Sequence, residues 1–131
     1  MVSVLVRRSG RSGRLTRSAE FERVYRRGRR LSGRYVVLYA FPREPRDAPP
    51  RLGVVAGKRV GSAVTRNRAK RLLREAFRAL GDEAPTGVDC VLVARPELGE
   101  EIDELKTEHI EQEIRALTEK LSTHSKPASA Q

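Results

Sequence analysis

Apolar residues return along this chain in two rhythms, one near 3.6 and one of two. Between Ser62 and Leu80, the residues Ala69, Leu72, Leu73, Ala76, Phe77 and Leu80 recur every three or four positions. That spacing predicts a helix with a single apolar stripe, and Gly81 stands where it should stop. Ile102–Leu121 repeats the pattern through Leu105, Ile110, Ile114, Leu117 and Leu121 with glutamates between them, which predicts a last amphipathic helix. A shorter helix is predicted from Ser18, as N-cap, to a stop at Gly28. Glu20 and Glu22 fall in its first turn and Arg26 and Arg27 in its last, as the helix dipole favours. Phe21 and Tyr25, four apart, share one of its faces.

The rhythm of two marks strands. Tyr35–Phe41, bounded by Gly33 and Pro42, is rich in aromatic and β-branched residues. Alternation puts Tyr35, Val37, Tyr39 and Phe41 on one side and Val36, Leu38 and Ala40 on the other. Both sides are apolar, so both faces of the sheet should be covered or used. Residues 43–51, with Pro45, Pro49 and Pro50, predict a loop, Leu52–Ala56 a second strand antiparallel to the first, and Val88–Ala94 a third. The order helix, two strands, helix, strand, helix predicts an α+β fold, a small two-layer α/β sandwich. The strand–helix–strand unit across 52–94 could pair its strands in parallel, and the general handedness rule makes such a crossover right-handed. Residues 1–14 read as a flexible basic arm, 15–121 as a single domain and 122–131 as a disordered tail.

Charge sharpens this outline. Of the 131 residues, 27 are Lys or Arg and 17 Asp or Glu, a net charge of +10. Residues 1–80 hold 22 basic against 5 acidic side chains, a net +17, and residues 81–131 hold 5 against 12, a net −7. The basic charge therefore belongs to one part of the molecule, and a polyanion is its natural partner. Biased use of arginine codons would not place the acids in the other block. The single cysteine, Cys90, lies in the apolar run 88–94 and reads as a buried structural thiol suited to a reducing compartment. The apolar start Val2–Val6 is too short for a signal segment and no stretch approaches membrane-spanning length, so a cytoplasmic protein is expected.

The candidate chemistry lies in Arg66-Asn67-Arg68-Ala69-Lys70-Arg71-Leu72-Leu73-Arg74. At about 100° per residue, Arg66, Asn67, Lys70, Arg71, Arg74 and Arg78 fill one sector opposite the apolar stripe. Arg68 alone falls outside it, beside Glu75, and should be partly structural. Like charges at i, i+4 and i+8 destabilise an isolated helix, so an external anion should offset the repulsion. Arginine offers bidentate contacts to phosphate, and Asn67 adds a polar donor and acceptor. Upstream, Lys58 and Arg59 lead into the N-terminus of this helix and make a second anion-binding spot. Phe21 and Tyr25 could face Tyr35 and Tyr39, an aromatic groove in which unpaired nucleotides would stack. The competing readings are a solvated basic face and rings that simply fill the core.

Phe21-x-x-Val24-Tyr25-x-x-Gly28 followed by Lys58-Arg59-x-Gly61-x-Ala63-Val64-x-Arg66-Asn67-Arg68-x-Lys70-Arg71-x-x-Arg74 resembles the bacterial ribonuclease P protein component, from about Leu15 to Arg95. The resemblance implies a mixed sheet with a left-handed βαβ crossover, as in a ribosomal-protein domain, against the right-handed default. It implies that Arg66, Asn67, Arg68, Lys70, Arg71 and Arg74 bind the catalytic RNA subunit. It further implies that Phe21, Tyr25, Val37 and Tyr39, with Lys58 and Arg59 nearby, line a cleft for the 5′ leader of precursor tRNA. Hydrolysis would be performed by the RNA with Mg²⁺ held by RNA and substrate, with no protein catalytic residue and no protein metal site. Tyr25 departs from the family's common Phe, and the N-terminal arm is longer than its pattern.

A nuclease acting alone needs clustered carboxylates or a histidine acid/base pair. His109 and His124 lie in the acidic last helix and the tail, away from the basic block, and no metal-ligand spacing is present. The alternatives are a structural RNA-binding protein of ribosomal or assembly type and, less well matched, a duplex-DNA reader. For the second, the arginine stripe is too wide and uniform for base readout.

Overall fold

The computed structural model describes the backbone of residues 2–4 and 18–130, with side chains over 19–121. The elements run β1 (Val2–Val4), α1 (Ser18–Arg27), β2 (Arg29–Ser32), β3 (Val36–Pro42), β4 (Arg51–Val55), α2 (Ala63–Ala79), β5 (Val88–Ala94), α3 (Pro96–Glu100) and α4 (Thr107–Ala130). They form a mixed α+β fold on one five-stranded sheet of order β1-β4-β5-β3-β2.

The central strands lie where the alternation placed them. β3 pairs antiparallel with β5 from Val36↔Ala94 to Pro42↔Val88. β4 runs parallel to β5, Arg51↔Asp89 to Val55↔Val93, with α2 as the crossover between them. β4 does run opposite to β3, as expected, but β5 lies between the two, so they do not pair.

Three segments differ most from the sequence expectation. Val2–Val4, expected within a flexible arm, pairs antiparallel with β4 through Val2↔Val55, Ser3↔Val54 and Val4↔Gly53, and the rest of the expected arm lies outside the described residues. β2 was not foreseen because Arg-Arg-Leu-Ser carries a single apolar residue. Its pairing with β3, from Arg29↔Ala40 to Ser32↔Val37, forms it. The last helix begins at Thr107 rather than Ile102, because Pro96 starts a separate short helix whose chain turns through 101–104. It runs to Ala130, so backbone expected as a disordered tail is helical.

One face of the sheet carries the main core. Val36, Leu38, Ala40, Leu52, Val54, Cys90, Leu92 and Ala94 meet Ala69, Leu73, Ala76 and Phe77 of α2 and Ile110, Ile114 and Leu117 of α4. Burial pushes the Cys90 thiol up to about 12, so it stays protonated at neutral pH. Ser62 caps α2, its hydroxyl accepting from the Thr65 N–H at 3.2 Å. Ser62→Ala should cost about 1 kcal/mol of unfolding free energy, measured by urea titration. Gly81, at φ +56°, ends the helix as expected.

α1 packs on the opposite face, where Phe21 and Val24 cover Val91. It sits close, since a Cβ on Gly28 would come within 2.7 Å of the Ala40 carbonyl oxygen. Its first turn is tied down by charge. Asp89 is 1% exposed and receives two hydrogen bonds from the Arg51 guanidinium, both of 2.8 Å, while Arg51 also donates to Glu20 at 3.1 Å. Arg43 adds an ion pair to Asp89 at 3.4 Å. The hydrogen bonds it donates to Asp89, above all, hold the Arg51 guanidinium above its ordinary pKa.

Tyr35 departs from its expected side. It precedes the paired part of β3, packs against the main core, and its hydroxyl donates to Glu101 at 2.7 Å. Glu113 of α4 accepts the N–H groups of Tyr35 and Val36 at 2.9 and 2.8 Å, locking the β2–β3 turn to that helix.

Candidate nucleic-acid interface

Two surfaces gather the candidate residues, and they lie on opposite faces of the sheet. The first is α2. Ser62 starts the helix and the apolar stripe orients it, which leaves Asn67, Arg68, Arg71 and Arg78 exposed and Arg66 and Arg74 half-buried. Arg66 turns one N–H back to the Gly61 carbonyl at 3.0 Å, bracing the bend that carries Lys58 and Arg59. Arg68 is bridged to Asp103 at 2.8 Å, the partly structural role its wheel position implied. Among the described residues, the side chains of Asn67, Lys70, Arg71 and Arg78 make no ion pair or hydrogen bond. Of the acidic C-terminal block, Asp103 bridges Arg68, while Glu101 pairs with Arg34, Glu111 with Arg115 and Glu113 with the backbone of β3.

Lys70 requires a correction. It is 8% exposed, so it belongs to the margin of the apolar stripe rather than to the open sector opposite it. Burial first, then Arg74 and Arg66, lower its ammonium pKa. Its methylenes can lie along apolar surface while the charge stays beside those two guanidinium groups. Arg74 is lowered for the same reasons, by burial and then by Arg71 and Arg78, with Glu75 opposing. Cations that lower one another's pKa favour an anion beside them.

Lys58 and Arg59 occupy a 3₁₀ turn, residues 58–60, between β4 and α2, and both are exposed. α3 fixes this turn from below: a Cβ on Gly99 would overlap the Val60 carbonyl, so only glycine permits the approach.

The second surface is the groove between α1 and the sheet. Tyr25 and Tyr39 meet edge to face at 4.9 Å between ring centroids, and Tyr25 is 38% exposed. Burial, then Tyr39, raises the Tyr25 hydroxyl pKa, so it stays a neutral donor. Phe21 and Val37 are buried, at 6% and 7% exposure, and form the floor rather than open walls. Lys58 and Arg59 follow the end of β4, whose Val55 is level with Val37 through their shared partner Val93.

Sequence reasoning missed the cations of this groove. Arg30, directly opposite Tyr39 on β2, donates to its hydroxyl at 3.3 Å. Arg23 lies over the Phe41 ring at 5.9 Å from its centroid. Arg30 could be found only by assigning β2, which its polar sequence hides. Open aromatic rings flanked by guanidinium groups can stack bases and hold phosphates together. Among the described residues, no group of three or more His, Cys, Asp or Glu side chains is placed to hold a metal ion, and no helix is long and apolar enough to cross a membrane.

Known proteins share both sequence and fold. A family model described as ribonuclease P matches residues 10–122. The ribonuclease P protein component of Brevibacillus brevis is 38% identical over 104 residues, covering 79% of each chain. That of Desulfovibrio desulfuricans is 35% identical over 117 residues, covering 89% of this chain and 88% of its own. Among solved structures, the RNase P protein of Staphylococcus aureus superposes with a TM-score of 0.67 at 27% identity, covering 80% of this chain and 91% of its own. The RNase P protein of Thermotoga maritima gives 0.68 at 28% identity, covering 75% and 87%.

Proposed function

Because the chain belongs to the ribonuclease P protein component family, and so is a partner of RNase P RNA in the tRNA-processing endoribonuclease, we propose that it works by holding two RNAs at once. α2, through Asn67, Arg71, Arg74 and Arg78, docks on the phosphates of the RNA subunit, while Lys58 and Arg59 serve the leader groove. The groove of Tyr25 and Tyr39 takes the single-stranded 5′ leader of precursor tRNA, with Arg23 and Arg30 meeting its phosphates. Arg66, Arg68 and Lys70 support the docking face, and Phe21 and Val37 support the groove. Phosphodiester hydrolysis falls to the RNA, with Mg²⁺ held by RNA and substrate. No protein group serves as nucleophile or general base.

The observation that carries this reading is a cationic helix face on which, among the described residues, Lys70, Arg71 and Arg78 make no ion pair, while Glu101, Glu111 and Glu113 are engaged elsewhere. The pair Tyr25–Tyr39 supports the groove, since two wet hydroxyl-bearing rings beside guanidinium groups suit bases better than a core.

The groove is tested by comparing affinities of the assembled ribonucleoprotein for precursor tRNA with a leader and for mature tRNA. A stacked base contributes about 1–3 kcal/mol, so Tyr39→Ala should shrink the ratio by about tenfold. Tyr39→Phe, which keeps the ring and loses the bond to Arg30, should retain most of it. An unchanged ratio in Tyr39→Ala would leave only a structural RNA-binding role.

A further inference from the structure

Between α2 and the turn leading to α4 lies a recess of about 160 Å³, bordered by Arg68, Arg71, Leu72, Glu75, Ile102 and Leu105. Its floor is apolar, with Ile102 buried and Leu72 and Leu105 half-buried against the main core. One wall is held in place by the bridge from Arg68 to Asp103. The rim carries Arg71 and Glu75, both exposed, and among the described residues neither side chain makes a hydrogen bond or ion pair. Glu75 is the one carboxylate in α2. On a face that binds phosphates it is repulsive, and an apolar floor gives a phosphate nothing either.

A flat heterocycle with hydrogen-bond donors fits all three elements. We propose that this recess receives one unpaired guanine of RNase P RNA. Leu72, Ile102 and Leu105 meet the edge and face of the ring, Arg71 lies on its plane, and Glu75 accepts from the ring N1–H and the exocyclic amine. Guanine alone among the four bases offers two adjacent N–H donors on its pairing edge. Adenine and cytosine place a ring acceptor beside their amine, which a carboxylate repels, and uracil flanks its one N–H with carbonyls. The inference rests on α2 docking on the RNA subunit and adds a base-specific contact to that phosphate-bound face.

The test uses the full-length protein and RNase P RNA, with affinity read over a range of salt. Electrostatics alone makes Glu75→Gln bind more tightly, because a negative charge leaves a cationic face. A guanine contact makes it bind about tenfold more weakly, with the salt slope unchanged, since no phosphate contact is lost. Glyoxal probing of guanine N1 and N2 edges should show one unpaired guanine protected by the wild-type protein and reactive in the saturated Glu75→Gln complex. Tighter or equal binding by Glu75→Gln, or no guanine whose protection depends on Glu75, overturns the proposal. Arg78→Ala separates the two levels. If it weakens binding while Glu75→Gln does not, the base contact fails and the docking stands; if it leaves affinity unchanged, the docking itself fails.

Discussion

Replacing Asp89 with alanine should cost about 3–5 kcal/mol of unfolding free energy, a large share of what holds a domain of this size together. Asp89 is almost wholly buried and takes both arms of the Arg51 fork, with Arg43 close by. Its loss leaves those guanidinium groups partly buried with, among the described residues, only Glu20 as a counter-charge. The penalty comes from an orphaned charge rather than from the worth of the pair, so Arg51→Leu combined with Asp89→Leu should be far milder than Asp89→Ala alone. Urea titration should show a lower midpoint at unchanged slope for Asp89→Ala. Because Glu20 sits in the first turn of α1, the same variant should also loosen the groove, seen as faster amide exchange in that helix. A destabilisation within 1 kcal/mol of the wild type would show that water already reaches the cluster.

The second large effect concerns assembly. If about four to six phosphates are neutralised on irregular RNA, the logarithm of affinity should fall with the logarithm of salt at a slope of about −3 to −4. Replacing Arg71, Arg74 and Arg78 together with alanine should lower the slope's magnitude by about 2 and weaken binding about a hundredfold near 0.1 M salt. These three succeed one another along α2 outside its apolar stripe, and Leu73, Ala76 and Phe77 are untouched, so the fold should survive. Circular dichroism checks that point. A slope that the triple replacement does not change would place the docking surface elsewhere.

Much of the frame was legible because the main core obeys simple periods. Ala69, Leu73, Ala76 and Phe77 are buried at helical spacing, and Val36, Leu38 and Ala40 at strand spacing, as the pattern required. The order of strands was less legible, since local pattern says nothing about which neighbour β4 selects, and β5 comes between it and β3. β1 and β2 escaped because edge strands owe their existence to a partner's free backbone rather than to their own side chains. Within the candidate site, the wheel located Arg68 correctly but not Lys70, which lies only about 20° from Phe77 and so at the margin of the stripe. Arg30 and Arg23 escaped for a different reason. Their role comes from lying beside Tyr39 and Phe41, a relation made by tertiary pairing alone.

The sheet places α1 on one face and α2 on the other. Ligands held at the two surfaces therefore need not compete, and on the proposed reading the chain between them would act as a bivalent clamp. A substrate gripped by its tail on one side would then be delivered to a catalyst gripped on the other, at an effective concentration set by one layer of strands rather than by diffusion. Gains in substrate affinity should then appear only in the ternary assembly, without either binary contact having to become tight.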